Sequence, residues 1–300
     1  MAPRGPSNRL PAGVRAIRRS FWSAAAPDNA GIAMEDVTLP DGEKVPALGV
    51  GTWRMGEAAR AHDQEVAALR YALDLGIRVV DTAEMYGEGG AEEIVGAAIK
   101  GRRDEIFVVT KLYPHNASSQ GTIEACERSL ERLGTDRIDL YLVHWRGQVP
   151  LVETVEAFER LKAGGKIRHW GVSNYQLGDM DELLALEAGG GCAANQVLYH
   201  LGERRIEPDL LPFCQGRGIP IMAYTPLGGQ RVLRSSPLPQ IAIKHDTGPA
   251  AVALACLLRN ENVMVIPKAV QFPHIEEIAQ VPHIKLDAED LAALDRAFPA

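Results

Sequence analysis

From about Val37 to Phe298 the chain alternates two kinds of apolar patterning. Short runs of Val, Ile, Leu and Tyr, continuous enough to be buried on both faces, are separated by stretches whose apolar residues recur three and four positions apart. The first kind predicts strands near 78–81, 106–111, 138–144, 168–173, 194–199, 219–224 and 263–267, with an earlier one in the run ending at Trp53. The second predicts helices over 63–75, 91–100, 120–133, 151–163, 178–187, 206–217 and 249–260, and a last one near 287–298. Local signals support these: Asp63 can cap its helix, and Gly76 and Gly134 stand just past the ends of theirs. Ahead of the first strand, Val37–Val45 reads as a hairpin turning at Asp41-Gly42.

Eight strands alternating with helices predict a closed parallel (β/α)8 barrel of the TIM type, with an N-terminal β-hairpin and a short C-terminal helical extension. An open doubly wound sheet would carry GxGxxG after its first strand, a pattern that Gly49-Val50-Gly51-Thr52-Trp53-Arg54 begins and does not complete. The expected domain is a single one over 34–300. Residues 1–33 differ in kind, with five arginines and no acid before Asp28. They read as a disordered arm, either transit-like or lying upstream of a start at Met34, and are set aside from the fold.

Composition narrows the function. A net charge of −7 in 300 residues argues against a nucleic-acid partner, and no apolar run reaches the length of a membrane span. Four cysteines without CxxC or metal-like spacing predict free thiols in a reducing cytoplasm. No apolar helix face is left over, so a monomer is expected.

In a barrel, chemistry collects at the C-terminal ends of the strands. Asp81, Lys111 and His144 fall there, and Tyr86 follows Asp81 by five residues. Singly, each has a structural reading: an ion pair, a core histidine, a packed loop ring. Together they form a set for acid–base work. An ammonium beside a phenol lowers its pKa, a carboxylate orients the ammonium, and an imidazole can bond a carbonyl oxygen while the phenol gives up its proton. A metal-dependent hydrolase would want several histidines at strand ends; only His144 stands there and no HxH occurs, so no metal is expected.

The segments Gly51-Thr52-Trp53, Asp81 to Gly87, Lys111, His144-Trp145, Gly171 to Asn174, Asn195-Gln196, Tyr224 to Gly228 and Ile266-Pro267-Lys268 resemble the aldo-keto reductase family, in order and from about Val37 to Phe298. The similarity is strongest to bacterial reductases of small aldehydes and 2-oxoaldehydes such as methylglyoxal. It implies a catalytic tetrad of Asp81, Tyr86, Lys111 and His144. It implies that Tyr224 stacks on a nicotinamide whose carboxamide is bonded by Ser173, Asn174 and Gln196. Gly51, Thr52 and Trp53 would lie nearby, and Pro226, Leu227 and Gly228 would open the loop over the pyrophosphate. Ile266, Pro267, Lys268, His274 and Glu277 would serve the adenosine end, with Lys268 on the 2′-phosphate. Trp53, Tyr86, Tyr113, His144 and Trp145 are the expected pocket walls, and Arg54 and Arg146 lie near the mouth.

The family pattern is broken at Ala269, where a Ser or Thr is usual, at His274, where an arginine is usual, and at Ile278, where an asparagine is usual. Further departures are Arg146 after His-Trp and Leu198 before Tyr199. The resemblance thus implies an NADP(H)-preferring reductase that can also take NAD(H). Alternatives are a reductase of keto-sugars or other carbonyl metabolites, and a nucleotide-sensing regulatory subunit with little turnover.

Overall fold

A computed structural model describes residues 36–300; the expected arm at 1–33 lies outside the described residues. Strands β1 (Asp36–Thr38) and β2 (Lys44–Pro46) form an antiparallel hairpin. Eight further strands pair in parallel and in sequence order: β3 (Gly49–Gly51), β4 (Val79–Asp81), β5 (Phe107–Leu112), β6 (Ile138–Val143), β7 (Ile167–Ser173), β8 (Cys192–Leu198), β9 (Ile221–Tyr224) and β10 (Val263–Val265). The ring closes where Leu48 bridges Val265, with Val265 N–H donating to Ala47 O at 2.8 Å and Gly51 N–H to Pro267 O at 2.9 Å. The barrel expected from the pattern is therefore present, with its hairpin.

Helices α1 (His62–Asp74), α2 (Gly90–Ile99), α3 (Ser119–Leu133), α4 (Leu151–Ala163), α5 (Leu177–Leu184), α6 (Leu210–Gln215), α7 (Gln230–Leu233), α8 (Leu238–Lys244), α9 (Pro249–Leu257), α10 (Phe272–Ala279) and α11 (Ala288–Ala297) surround it. In α3 the Ser118 hydroxyl accepts from Gly121 N–H at 3.2 Å and Gly134 turns left-handed at φ 60° to end the helix. α1 departs from expectation: it begins one residue early, and Asp63 sits in its first turn without capping it. α6 is shorter than expected because 205–209 is held in turns, where Arg204 bonds Glu207 and Asp295.

Because successive strand residues face opposite sides, the sheet divides its side chains between two cores. Outward residues such as Val80, Val108, Tyr141 and Val172 pack under the helices. Inward, Val79, Phe107, Val109, Leu140, Leu142, Ala194, Met222 and Met264 fill the barrel, and Val37, Leu39, Val45 and Ala47 of the hairpin plug its lower end. Ion pairs pin the hairpin: Arg168 meets both oxygens of Glu43 at 2.7 and 2.6 Å, and the buried His169 Nε2 lies 2.7 Å from Glu43. Among the described residues no helix is long and apolar enough to cross a membrane.

Candidate active site

The same two-residue alternation that fills the barrel builds the site at its upper end. Following the inward side upward, Val79 is succeeded by Asp81, Val109 by Lys111, Leu142 by His144, Ala194 by Gln196, Met222 by Tyr224 and Ile266 by Lys268. Apolar filling gives way to polar groups around one rim, as the strand-end reading requires. All of these rim residues except the fully buried Lys111, together with Tyr86 and Trp145, line a cavity of about 580 Å³ that also takes in Gly51, Trp53, Ser173, Asn174, Pro226, Leu227, Gly228, Ile266 and Pro267.

At its floor Lys111 Nζ lies 2.8 and 2.9 Å from the two Asp81 oxygens, 2.8 Å from Thr82 O and 3.4 Å from Tyr86 OH. The ammonium is fully buried, so it needs this saturated shell. Gln196 Nε2 donates to Asp81 Oδ1 at 2.7 Å. The rings of Tyr86 and His144 meet edge to face, 5.8 Å between centroids. The four residues expected to act together are thus gathered by β4, β5, β6 and the loop after β4.

Burial sets the protonation states. It drives the Lys111 pKa down, but the Asp81 and Tyr86 partners outweigh it and hold the ammonium charged above its usual range. Burial raises the Asp81 carboxyl, with Lys111 and Gln196 opposing. It also raises the Tyr86 phenol against the pull of Lys111. Here the sequence argument is corrected in sign: the lysine does favour phenolate, but desolvation wins and the phenol is held protonated. Burial, reinforced by the charge on Lys111, pushes the His144 imidazole down to about 3, so the ring is neutral. Its Nδ1 is buried without a hydrogen-bond partner.

A second network fixes the wall beside it. Asn174, left-handed at φ 59°, donates from Nδ2 to His144 O at 3.0 Å and to Ser173 Oγ at 3.2 Å, and accepts at Oδ1 from the Tyr224 hydroxyl at 2.9 Å. Ser173 Oγ donates to Gln196 O at 2.9 Å. Beyond Tyr224 the backbone turns left-handed at Thr225, Gly228 and Gly229, giving a glycine-rich stretch of the lining to which Lys268 also belongs.

Besides Lys111, the expected residues Thr52, Tyr113, His274 and Glu277 do not line the cavity, nor do Arg54 and Arg146. Thr52 is wholly buried and spends its hydroxyl on Asp81 O at 3.0 Å. Tyr113 stands behind Trp145, edge-on at 6.2 Å, and stacks on His115. His274 is exposed in the first turn of α10, and Glu277 accepts from Ala250 N–H at 2.8 Å at the start of α9. Arg146 is turned back onto Gly147 O, Val149 O and Glu182, and Arg54 stacks over Trp53 at 4.6 Å. Conversely, Met85, Thr225 and Gly229 line the cavity without having been singled out; each adjoins a selected residue, and only the loop path shows that it faces inward.

Comparison with known proteins agrees with this geometry. The aldo/keto reductase family model matches residues 47–298. Methylglyoxal reductase YeaE of Escherichia coli is 51% identical over 261 residues, 85% of this chain and 92% of that protein. Glyoxal reductase of Bacillus subtilis is 35% identical over 264 residues, 87% of this chain and 92% of that protein. Among solved structures, an aldo/keto reductase from Klebsiella pneumoniae in complex with NADP and acetate superposes with a TM-score of 0.86 at 48% identity, covering 89% of this chain and 96% of that one.

Proposed function

The chain belongs to the aldo/keto reductase family and is an oxidoreductase, and we propose that it reduces small aldehydes and 2-oxoaldehydes of the methylglyoxal kind to alcohols with NADPH, using Tyr86 as the proton donor. The observation that carries this reading is the buried Asp81–Lys111–Tyr86 chain opening onto a cavity beside a neutral histidine. The names of the Escherichia coli and Bacillus subtilis relatives support the substrate class.

The donor set fits a nicotinamide dinucleotide. Gln196 donates one amide hydrogen to Asp81 and keeps its oxygen free for a carboxamide. Tyr224 is anchored through its hydroxyl, which fixes its ring as a stacking face. Pro226 to Gly229 and Lys268 border the far side of the cavity, where a pyrophosphate and a 2′-phosphate would be held. When bound, the dinucleotide supplies the hydride that adds to the carbonyl carbon.

The chain's own residues supply the rest. A substrate oxygen seated between Tyr86 and His144 would accept a hydrogen bond from the imidazole Nε2–H in the neutral tautomer that leaves the buried, unpartnered Nδ1 without a proton. As negative charge grows on that oxygen, Tyr86 transfers its proton and Lys111 stabilises the nascent phenolate. Asp81 keeps the ammonium charged and aimed. Trp53 and Trp145, both partly exposed, give an apolar mouth that would not choose strongly among small aldehydes.

The test is NADPH consumption over a panel of 2-oxoaldehydes, simple aldehydes and keto-sugars, repeated with NADH. Turnover highest with 2-oxoaldehydes and NADPH supports the reading. Cofactor binding without consumption across the panel would move the function to nucleotide sensing. His274 and Ala269 lead us to expect residual NADH activity, because the adenosine end carries Lys268 without a second fixed cation at position 274.

A further inference from the structure

Tyr86 is carried by a short loop whose backbone is held in an uncommon conformation. Gly87, Glu88 and Gly89 are successively left-handed, at φ 57°, 53° and 95°. A non-glycine residue in that region is disfavoured, so the surrounding structure must hold the loop in place. The residue that meets both ends of this loop is Arg132, on α3 and outside the cavity.

At the far end the Arg132 side chain lies across Gly89 so closely that a Cβ there would stand 2.5 Å from its Cδ and 2.7 Å from its Nε. Its guanidinium bonds Glu92 of α2 at 2.6 Å, and Glu92, itself fully buried, accepts from Thr110 Oγ1 at 2.6 Å, the residue before Lys111. At the near end Arg132 approaches the buried Glu84 carboxylate at 4.0 Å, with Arg128 at 3.9 Å. Glu84 in turn accepts from Tyr113 N–H at 2.6 Å and Asn116 Nδ2 at 2.9 Å, tying the proton-donor loop to the segment after β5. Arg132 thus brackets Tyr86 at positions 84 and 89 and is linked through Glu92 to the strand that presents Lys111.

We propose that Arg132 is a positioning residue for proton transfer: by clamping Glu84, Gly89 and Glu92 it sets the Tyr86–Lys111 separation, 3.4 Å in this structure. The proposal rests on the reductase reading for its kinetic consequence and on geometry alone for its structural one. A misplacement of about 1 Å at a reacting group can cost about a hundredfold in rate.

Two variants test it. Arg132→Lys keeps the charge beside Glu92 but lacks the planar fork that reaches two partners. The double variant Arg132→Met/Glu92→Gln removes both charges, so that no uncompensated carboxylate stays buried, and leaves an acceptor for Thr110. Hydrogen exchange of the peptide 82–90 should quicken at least about tenfold in both while exchange in the barrel strands is unchanged. With 2-oxoaldehyde and NADPH, kcat should fall roughly 10- to 100-fold with KM and NADPH affinity within about threefold, and the solvent deuterium isotope effect on kcat should rise. Wild-type exchange in 82–90 would overturn the clamp. Quickened exchange with wild-type kcat would overturn the positioning role. A parent enzyme that turns over no aldehyde would count against the reductase reading alone, since the exchange measurement still decides the clamp.

Discussion

Removing the lysine from a buried ion pair gives a perturbation whose size follows from the contacts. In Lys111→Met the Asp81 carboxylate, 2% exposed, loses three of the features that stabilise its charge: two bonds at 2.8 and 2.9 Å and the nearby positive charge. Only Gln196 remains as a side-chain donor. Breaking a buried pair in this way costs about 3–5 kcal/mol, which in a domain of this size lowers Tm by on the order of 10 °C. The cost depends on pH. Burial already raises the Asp81 pKa, and without Lys111 it rises further, above the unfolded value of about 3.9. The folded variant then holds a proton that the unfolded chain has released, so its stability is retained at acid pH and lost as pH rises through the folded pKa. Urea unfolding of wild type, Lys111→Met and Asp81→Asn/Lys111→Met at pH 5 and pH 8 reads this directly. The single variant should be much weaker at pH 8 than at pH 5, and the double variant should recover stability at pH 8 while remaining at least a hundredfold less active. A single variant as stable as wild type at pH 8, or a double variant no better than the single, would refute the reasoning.

Other outcomes follow from the same structure. Because the His144 imidazole is held down to about 3, kcat/KM should show no histidine inflection between pH 5 and 8. The unfolded chain takes up that proton near pH 6.5, so stability falls as pH drops from there toward 3, and His144→Gln should flatten this part of the acid limb in urea titrations. Cys126, Cys192 and Cys214 are buried and their thiols pushed up to about 12, that of Cys256 to about 11, so native protein treated with iodoacetamide should show no mass increase from these positions until it is unfolded. Lys268→Met should weaken NADPH binding by about tenfold or more and leave NADH binding nearly unchanged, as followed by cofactor fluorescence.

Much of this was legible in the sequence, and the reasons differ by element. The strands declare themselves by continuous apolar runs, and where such a run ends in Asp, Lys or His the barrel topology alone brings those residues to one rim. Prolines blurred two boundaries. β9 was expected from Ile219 but pairs only from Ile221, although Pro220 O still accepts from Asn195 N–H at 3.0 Å. β10 was expected to run to Pro267 but ends at Val265, because proline has no N–H to extend the ladder. The patterning predicts no helix at α7, α8 or α10. The first is a single turn, and the other two have proline in their first turn and too few residues to show a period. The roles of Glu92 and Arg132 could not be read from patterning, since a charged residue on a helix is ordinarily solvated and only tertiary packing shows Glu92 fully enclosed. The sign of the Tyr86 shift was likewise set by burial, which spacing does not report.

The most direct test of the central claim compares wild type with Tyr86→Phe in NADPH oxidation by a 2-oxoaldehyde, with NADPH affinity measured separately. The account predicts that loss of the phenol lowers kcat by about a hundredfold or more while NADPH binds as before. A phenylalanine variant that retains wild-type kcat would contradict the assignment of Tyr86 as the proton donor.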